Sequence, residues 1–238
     1  MHPLYWVTPL ISHTLLRFLL VLPLLKYFAK FKVYGLENLK VASTKHGVIF
    51  AANHASEFDP PVVTAAIPFL SKYTPLFFAT DELEFFAKKE IFGWRAYIYP
   101  WAFVLLLGAY PILKKRKKFE EKLMHTITLL SKKRSVLFFP EGRRTRNGRI
   151  QDAQAGIGFL LQHTNSVIIP VGIKGTYDIP SFDKPSRKRF YSGKHTITVI
   201  FGKPISKEDI FGENTDSQID DFKSGANAIM ARIEKLLL

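Results

Sequence analysis

Short apolar runs alternate with helix-like patterns along most of the chain. Several of the runs lack polar residues at alternate positions, so they predict strands that are buried on both faces of a sheet. Between them, patterns such as that of residues 118–132 repeat their apolar residues at helical spacing. This alternation predicts an α/β fold, a largely parallel mixed sheet flanked by helices. The predicted strands are Val48–Ala52, Leu76–Ala79, Tyr110–Leu113, Val136–Phe139, Val167–Ile173 and Thr196–Phe201.

The first part of the chain does not follow this alternation. Residues 9–32 form one amphipathic pattern that predicts helix, which Pro23 is expected to break in two. Its longest uncharged stretches have 14 residues (3–16) and 8 residues (18–25), fewer than the roughly 18 residues that a membrane-spanning helix needs. We therefore expect residues 1–32 to lie in the interface of a membrane as an amphipathic helical segment, and residues 33–238 to form one globular domain.

A second apolar stretch, Ala96–Leu113, contains 18 uncharged residues. Length alone would favour a transmembrane helix there, but Pro100, Gly108 and Pro111 interrupt any continuous helix. A span at this point would also place the residues before it and after it on opposite sides of the membrane. The stretch is therefore predicted to be a buried helix that leads into a strand.

The charge balance restricts the possible partners. The chain has 34 Lys and Arg against 20 Asp and Glu, a net charge of +14, which favours anionic partners: phosphate head groups, acidic carriers or nucleic acid. The absence of cysteine excludes a disulfide framework, a thiolate metal site and a cysteine nucleophile. Any catalysis must therefore use histidine, carboxylate or hydroxyl groups. The 21 Phe and 9 Tyr also suit a lipid-facing surface.

A histidine and an aspartate follow the strand Val48–Ala52. His54 and Asp59 could not meet on one helix, because residues five apart point about 140° away from each other. A loop followed by a helix that starts at Pro60 and Pro61 would bring them together. A histidine held by a carboxylate is a general-base arrangement, but Asp59 could equally be a helix cap and His54 an ordinary loop histidine. The spacing alone leaves both readings open.

The strand Val136–Phe139 ends in a turn that is rich in arginine. The planar guanidinium group suits bidentate contact with phosphate, so this turn is a candidate anion site. A solvated basic loop is the alternative, and for Arg146 and Arg149 it is at least as good an explanation.

Two other charged residues stand next to strand ends. Glu141 is expected to make a structural salt bridge or to position an arginine. Lys114 begins a run of five basic residues, most of which fit a solvated face. Lys114 itself directly follows a strand, so it is the member of the run that we expect to face a ligand.

Four segments of the chain form an ordered set. They are Asn-His-x-Ser-x-x-Asp at 53–59, Gly-Ala-x-Pro-Ile-x-Lys at 108–114, Phe-Pro-Glu-Gly-x-Arg at 139–144 and Ile-Pro-Val at 169–171. In order and approximate spacing they resemble the four motif blocks of the glycerolipid acyltransferases, typified by 1-acylglycerol-3-phosphate acyltransferase. The resemblance covers about residues 30–206.

This resemblance implies an enzyme whose catalytic residues are His54 and Asp59. His54 would deprotonate the hydroxyl of the acceptor, which attacks the thioester of acyl-CoA or acyl-carrier protein, while Asp59 orients the imidazole. The second and third blocks would bind the phosphate of the acceptor, and no metal or other cofactor is implied. The substrate-binding residues would be Lys114, Glu141, Gly142, Arg143 and Arg144, with Asn53, Ser56 and Pro170 in supporting positions.

The activity implied by the resemblance is transfer of a fatty acyl group to 1-acylglycerol 3-phosphate, giving phosphatidic acid in phospholipid biosynthesis. Residues 33–238 would be the catalytic domain. The expected partners are membrane lipids, the lysophospholipid acceptor and the acyl donor, and no nucleic acid. The protein is expected to be a peripheral or monotopic membrane protein of the cytoplasmic face.

Two residues depart from the family pattern at the phosphate site. Lys114 stands where the family usually has arginine, and Arg143 stands where it usually has threonine. Other acceptors therefore stay open, namely another lysolipid or glycerol 3-phosphate. A non-catalytic basic protein that binds membranes is the alternative from a different class.

Overall fold

The computed structural model describes residues 4–42, 46–80, 88, 90, 93–98, 107–179, 195–212 and 219–238. Within these ranges the strands are β1 (Ala29–Tyr34), β2 (Val48–Ala52), β3 (Leu76–Thr80), β4 (Ala109–Pro111), β5 (Ser135–Phe138), β6 (Val167–Lys174) and β7 (His195–Phe201). The helices are α1 (Leu4–Leu16), α2 (Leu22–Phe28), α3 (Leu36–Val41), α4 (Asp59–Ala66), α5 (Phe119–Lys122), α6 (Met124–Ser131), α7 (Gly156–His163), α8 (Glu208–Phe211) and α9 (Ile219–Lys235).

The strands of the described residues form a single sheet in the order β1-β7-β6-β2-β5-β3-β4. Five adjacent strands, β6, β2, β5, β3 and β4, run parallel to one another. Strand β7 is antiparallel to β6 and parallel to β1. Parallel neighbours need crossover connections, and the helices between the strands supply them. The predicted fold class, a largely parallel mixed sheet flanked by helices, is confirmed.

The centre of the sheet is buried on both faces. In β2, Phe50 packs edge to face against Tyr73 and Phe201 in one apolar cluster, whereas Ile49 and Ala51 belong to a second cluster. Because side chains alternate along a strand, the two clusters lie on opposite faces of the sheet. All residues of β2 are buried, so the point at which this strand ends is firmly held.

The N-terminal helical segment differs from the prediction in its limits and its continuity. It runs from Leu4 to Phe28 without a break at Pro23, and residues 29–32 belong to β1 rather than to a helix. Pro23 has no N–H to donate, and the disturbance takes the form of a wider turn just before it. In this π-helical turn, Arg17–Val21, the N–H of Leu22 donates to the oxygen of Arg17.

One face of this helical segment packs on the domain and the other is apolar and exposed. Arg17 donates a hydrogen bond to the carbonyl oxygen of Ile67, and His13 donates one to that of Leu107. Both contacts fall on the inward face. The exposed apolar face consists of Leu10, Ile11, Leu15, Phe18, Leu19, Leu20, Leu24 and Tyr27.

The stretch Thr8–Tyr27 of this segment is long and apolar enough to cross a membrane, judged by length and composition alone. The sequence argument reached the opposite result because it counted uninterrupted uncharged residues. Arg17 and Lys26 interrupt those runs but do not interrupt the helix. Since Arg17 is bonded to the backbone of the domain, the segment lies along the domain instead of projecting from it.

The stretch Ala96–Leu113 lies partly outside the described residues. Its first residues are the last residues of a 3₁₀ helix, Gly93–Tyr97, and its later described residues include β4. The helix predicted ahead of the strand falls mainly on residues that are not described. The pattern over 118–132 forms two short helices, α5 and α6, which meet at Leu123.

Helix α7 packs closely against α9 at Gly158. A Cβ atom at this position would lie 2.1 Å from the carbonyl oxygen of Phe222, whereas a Cβ atom on Gly156 would lie 3.6 Å from its nearest neighbour, in Leu123. Two glycines of one helix therefore differ in their surroundings, and only Gly158 has a packing role.

We expect Gly158→Ala to lower the free energy of unfolding by about 1–3 kcal/mol, because the added methyl group overpacks the contact between the helices. Gly156→Ala, the matched control, should leave this free energy within about 0.5 kcal/mol of the wild-type value. Urea unfolding followed by circular dichroism measures both variants. Equal effects of the two substitutions would contradict the packing argument.

Candidate active site

Strand β2 brings its last residues to the carboxyl edge of the sheet, between the ends of β5 and β6. Asn53, the next residue, is buried and bridges to β6. Its side-chain N–H donates to the oxygen of Ile173 at 3.0 Å, and its side-chain oxygen accepts the N–H of Ile173 at 2.8 Å. The side-chain amide of Asn53 thus continues the hydrogen bonding between β2 and β6 beyond the end of β2. These bonds fix the backbone position from which His54 follows.

His54 and Asp59 form a hydrogen-bonded pair. The distance from His54 Nδ1 to Asp59 Oδ2 is 2.8 Å. A carboxylate only accepts hydrogen bonds, so Nδ1 carries the proton and Nε2 is the basic nitrogen. The Asp59 side chain is fully buried and that of His54 is 18% exposed. A substrate can therefore reach the histidine but not the aspartate.

Asp59 is the first residue of α4 and does not cap this helix, so the reading of Asp59 as a helix cap, which the sequence left open, is wrong. Phe58 occupies the cap position. Asp59 Oδ2 accepts the N–H groups of Ala55 at 2.7 Å and Ser56 at 2.8 Å, so the carboxylate faces back onto the loop. The hydroxyl of Ser56 accepts the N–H of Phe58 at 3.2 Å. These bonds fold the loop into the shape that lets the histidine meet the aspartate.

The imidazole is also held by an aromatic ring. Phe139 stacks on His54 with 3.9 Å between the ring centroids and an interplanar angle of 15°. The stacking and the bond to Asp59 together restrict the tilt and the rotation of the imidazole. Nε2 has no hydrogen-bond partner among the described residues, and His54 lines a cavity of about 210 Å³.

Glu141 holds the backbone of the same loop. Its Oε1 accepts the N–H of His54 at 2.7 Å, and its Oε2 accepts the N–H of Gln151 at 2.9 Å. The sequence predicted a salt bridge or an arginine partner for this carboxylate, and the prediction is wrong because both oxygens are used by backbone N–H groups. Burial raises the pKa of Glu141, while the two N–H groups act in the opposite direction.

The turn after Glu141 adds a further bond to the loop. Gly142 has a φ of +68°, a left-handed conformation that favours glycine. The chain then turns back toward the loop that carries His54, and the N–H of Thr145 donates to the carbonyl oxygen of His54 at 2.8 Å. The N–H of His54 is therefore bonded to the third block, and its C=O is bonded to the residue that follows this block.

The predicted phosphate-binding cations occupy different places. Arg144 Nη1 lies 3.9 Å from Oε2 of Glu57, a residue of the loop that carries His54. Arg143 is exposed. Lys114 follows β4, which is separated from β2 by two strands and so by about 14 Å at the usual strand spacing. The structure brings Arg144 to the histidine loop, whereas Lys114 does not line the cavity that His54 lines.

Pro170 lies within the sheet. It is the β6 partner of Ala51 in β2, and its carbonyl oxygen accepts the N–H of Gly202 at 2.8 Å. Its position therefore supports the strands that carry the site instead of lining the cavity.

The cavity beside His54 has a wall that the sequence did not predict. Lys174, the last residue of β6, and Arg149, in the loop after the third block, both line it. The sequence left open whether Arg149 contacts a phosphate or belongs to a solvated loop, and Lys174 was not among the predicted site residues. A signal was present, since Lys174 directly follows an apolar run, as Lys114 does.

Comparisons with known proteins bear on the family. Residues 30–174 match the model of the Acyltransferase family, and this range contains all of the site residues described above. The crystal structure of the 1-acyl-sn-glycerophosphate acyltransferase from Thermotoga maritima is similar in fold, with a TM-score of 0.57 and 18% identity. The similarity covers 89% of this chain and 73% of that chain.

Two plant proteins are similar in sequence. A chloroplastic 1-acyl-sn-glycerol-3-phosphate acyltransferase of Arabidopsis thaliana is 29% identical over 195 residues, which cover 81% of this chain and 49% of the relative. A chloroplastic 1-acyl-sn-glycerol-3-phosphate acyltransferase of Brassica napus is 27% identical over 200 residues, which cover 81% and 50%. The chain spans about half the length of these relatives. Since the family model matches more than half of this chain, the protein belongs to the Acyltransferase family.

Proposed function

We propose that this protein transfers a fatty acyl group from acyl-CoA or acyl-carrier protein to the free hydroxyl of 1-acylglycerol 3-phosphate, giving phosphatidic acid. The observation that carries the proposal is the 2.8 Å hydrogen bond between His54 and the buried Asp59, beside a cavity that His54 lines. Both plant relatives are named for this acceptor, which favours it over other lysolipids and glycerol 3-phosphate.

The proposed reaction moves one proton in two steps. His54 Nε2 takes the proton of the acceptor hydroxyl while the hydroxyl oxygen attacks the carbonyl carbon of the thioester. The tetrahedral intermediate then collapses, the C–S bond breaks, and the imidazolium returns the proton to the departing thiolate. Asp59 stabilises the positive charge on His54 between the two steps. This chemistry uses only protein side chains and the two substrates.

The basic residues of the second and third blocks support an acceptor that bears a phosphate. Arg144 is partly exposed beside the histidine loop, and a guanidinium group there suits contact with a phosphate group. Arg143 and Lys114 add positive charge along the same edge of the sheet. Their field would attract an anionic head group toward the site.

We also propose that the protein works on a membrane surface, with the exposed face of the N-terminal helical segment in the lipid interface. This face is apolar, and Leu19 and Tyr27 are 75% and 80% exposed. Phe18 packs edge to face on Phe69, which is also exposed and extends the apolar surface. The net charge of +14 favours anionic lipid, such as that of a cytoplasmic leaflet.

Replacement of His54 by alanine should lower the rate of acyl transfer at least about a hundredfold, because the proton acceptor is lost. The assay uses labelled acyl-CoA or acyl-carrier protein with 1-acylglycerol 3-phosphate, other lysolipids and glycerol 3-phosphate. His46→Ala is the matched control, since His46 is exposed and precedes β2 at the opposite end of the strand. If the wild type were no more active than His54→Ala with every donor and acceptor, the proposal would fail.

Asp59→Asn separates the charge of the residue from its hydrogen bonds. With its oxygen in the place of Oδ2, asparagine can accept the same three N–H groups, while its NH₂ group takes the buried place of Oδ1, which has no partner among the described residues. We expect kcat to fall at least about a hundredfold with a smaller change in KM, because the imidazolium loses its counter-charge.

The same substitution should lower the free energy of unfolding by about 1–3 kcal/mol, since the NH₂ group is left unsatisfied. Asp152→Asn, at an exposed position, is the control and should change neither quantity. Full kcat in folded Asp59→Asn would exclude the proposed role of the carboxylate.

Leu19→Glu should weaken binding to anionic vesicles at least about tenfold, because burial of a leucine side chain contributes about 1.5–3 kcal/mol and the new charge opposes insertion. Met124→Glu changes an exposed apolar residue of α6 in the same way and should have a small effect. Vesicle sedimentation measures both. The same loss of binding in both variants, or in neither, would exclude the N-terminal segment as the membrane contact.

A further inference from the structure

The cavity beside His54 is lined by two cations that lie outside the four motif blocks, Lys174 and Arg149. We propose that these two residues bind the phosphate of the acceptor while its hydroxyl is at His54. The inference rests on the proposed function and names the side chains that would select a phosphorylated acceptor.

The dimensions of the acceptor require a cation close to His54. In 1-acylglycerol 3-phosphate, four bonds separate the free hydroxyl oxygen from the phosphorus atom, which is about 5 Å in an extended conformation. The phosphate of an acceptor whose hydroxyl reaches Nε2 therefore lies close to His54, and we place it in the cavity that His54 lines. Lys174 ends β6, the direct neighbour of β2 at about 4.8 Å, whereas Lys114 follows a strand about 14 Å away.

The charges around the cavity favour an anion. Among the described residues, neither Lys174 nor Arg149 makes an ion pair with a carboxylate. The carboxylate that lines the cavity, Glu141, already accepts the N–H groups of His54 and Gln151 with its two oxygens. Within the described part of the chain, the charge of the two cations is therefore available for a ligand.

The loop that carries Arg149 is packed onto the end of β6. The hydroxyl of Tyr177 donates to the carbonyl oxygen of Arg146 at 2.7 Å. Gly148 has a φ of +79°, and a Cβ atom there would lie 3.1 Å from the ring of Tyr177. The close contact fixes the loop next to the segment that follows Lys174, and both cations line the same cavity, which favours binding of one phosphate group by both.

The experiment measures the KM of each substrate separately. Lys174→Gln and Arg149→Gln should each raise the KM for 1-acylglycerol 3-phosphate about tenfold or more, because each removes a charge-assisted contact. The KM for the acyl donor should stay within about twofold of the wild-type value. Lys174→Arg keeps the charge and should restore most of the affinity. Arg146→Gln is the control, since Arg146 belongs to the same loop but does not line the cavity.

A second measurement separates this inference from the proposed function. Isothermal titration calorimetry with glycerol 3-phosphate reports phosphate binding without acyl transfer, and binding should weaken in the two glutamine variants. Absence of acyl transfer by the wild type would reject the proposed function, and the calorimetry would still decide this inference.

The inference is overturned if the glutamine variants, shown to be folded by circular dichroism, bind glycerol 3-phosphate like the wild type. It is also overturned if they raise the KM of the acyl donor instead, or if Arg146→Gln raises the acceptor KM as much as they do.

Discussion

The carboxylate of Asp59 is fully buried, and the free energy that this burial costs must be offset by hydrogen bonds. Oδ2 accepts three of them, from Nδ1 of His54 and from the N–H groups of Ala55 and Ser56. The same bonds give the loop its shape, select the tautomer of the imidazole and leave Nε2 as its basic nitrogen. The orientation of the proposed base therefore depends on how one buried carboxylate is satisfied.

The strands on both sides of β2 complete this arrangement. Asn53 continues the pairing with β6 through its side-chain amide, while Glu141, after β5, binds the N–H of His54. The loop is thus bonded to β6 on one side and to the turn that follows β5 on the other, at the point where it leaves the sheet. Glu141 tolerates burial, which raises its pKa, because two backbone N–H groups compensate its charge.

The surfaces of the protein match the two halves of a lysophospholipid. An acyl chain is apolar and a phosphate is anionic. The protein has an exposed apolar helix face as well as a cavity lined by Lys174 and Arg149. The exposed leucines of the N-terminal segment are free to meet lipid because polar groups on its other face, such as Arg17, are bonded to the domain. The proposed amphiphilic acceptor would thus find complementary chemistry in different parts of one molecule.

The sequence by itself determined the α/β fold, since parallel strands buried on both faces must be apolar throughout. It singled out His54 and Asp59 through four ordered motif blocks and the family that they resemble, because the spacing of the two residues alone left two readings open. It overestimated the helical segment because residues 29–32 alternate in a way that fits a strand beside β7 as well as a helix. Only the tertiary structure decided which strand ends share the site. Lys174 and Lys114 look alike in sequence, but strand order places one next to β2 and the other two strands further away. Strand order follows from long-range packing, which no local pattern of residues encodes.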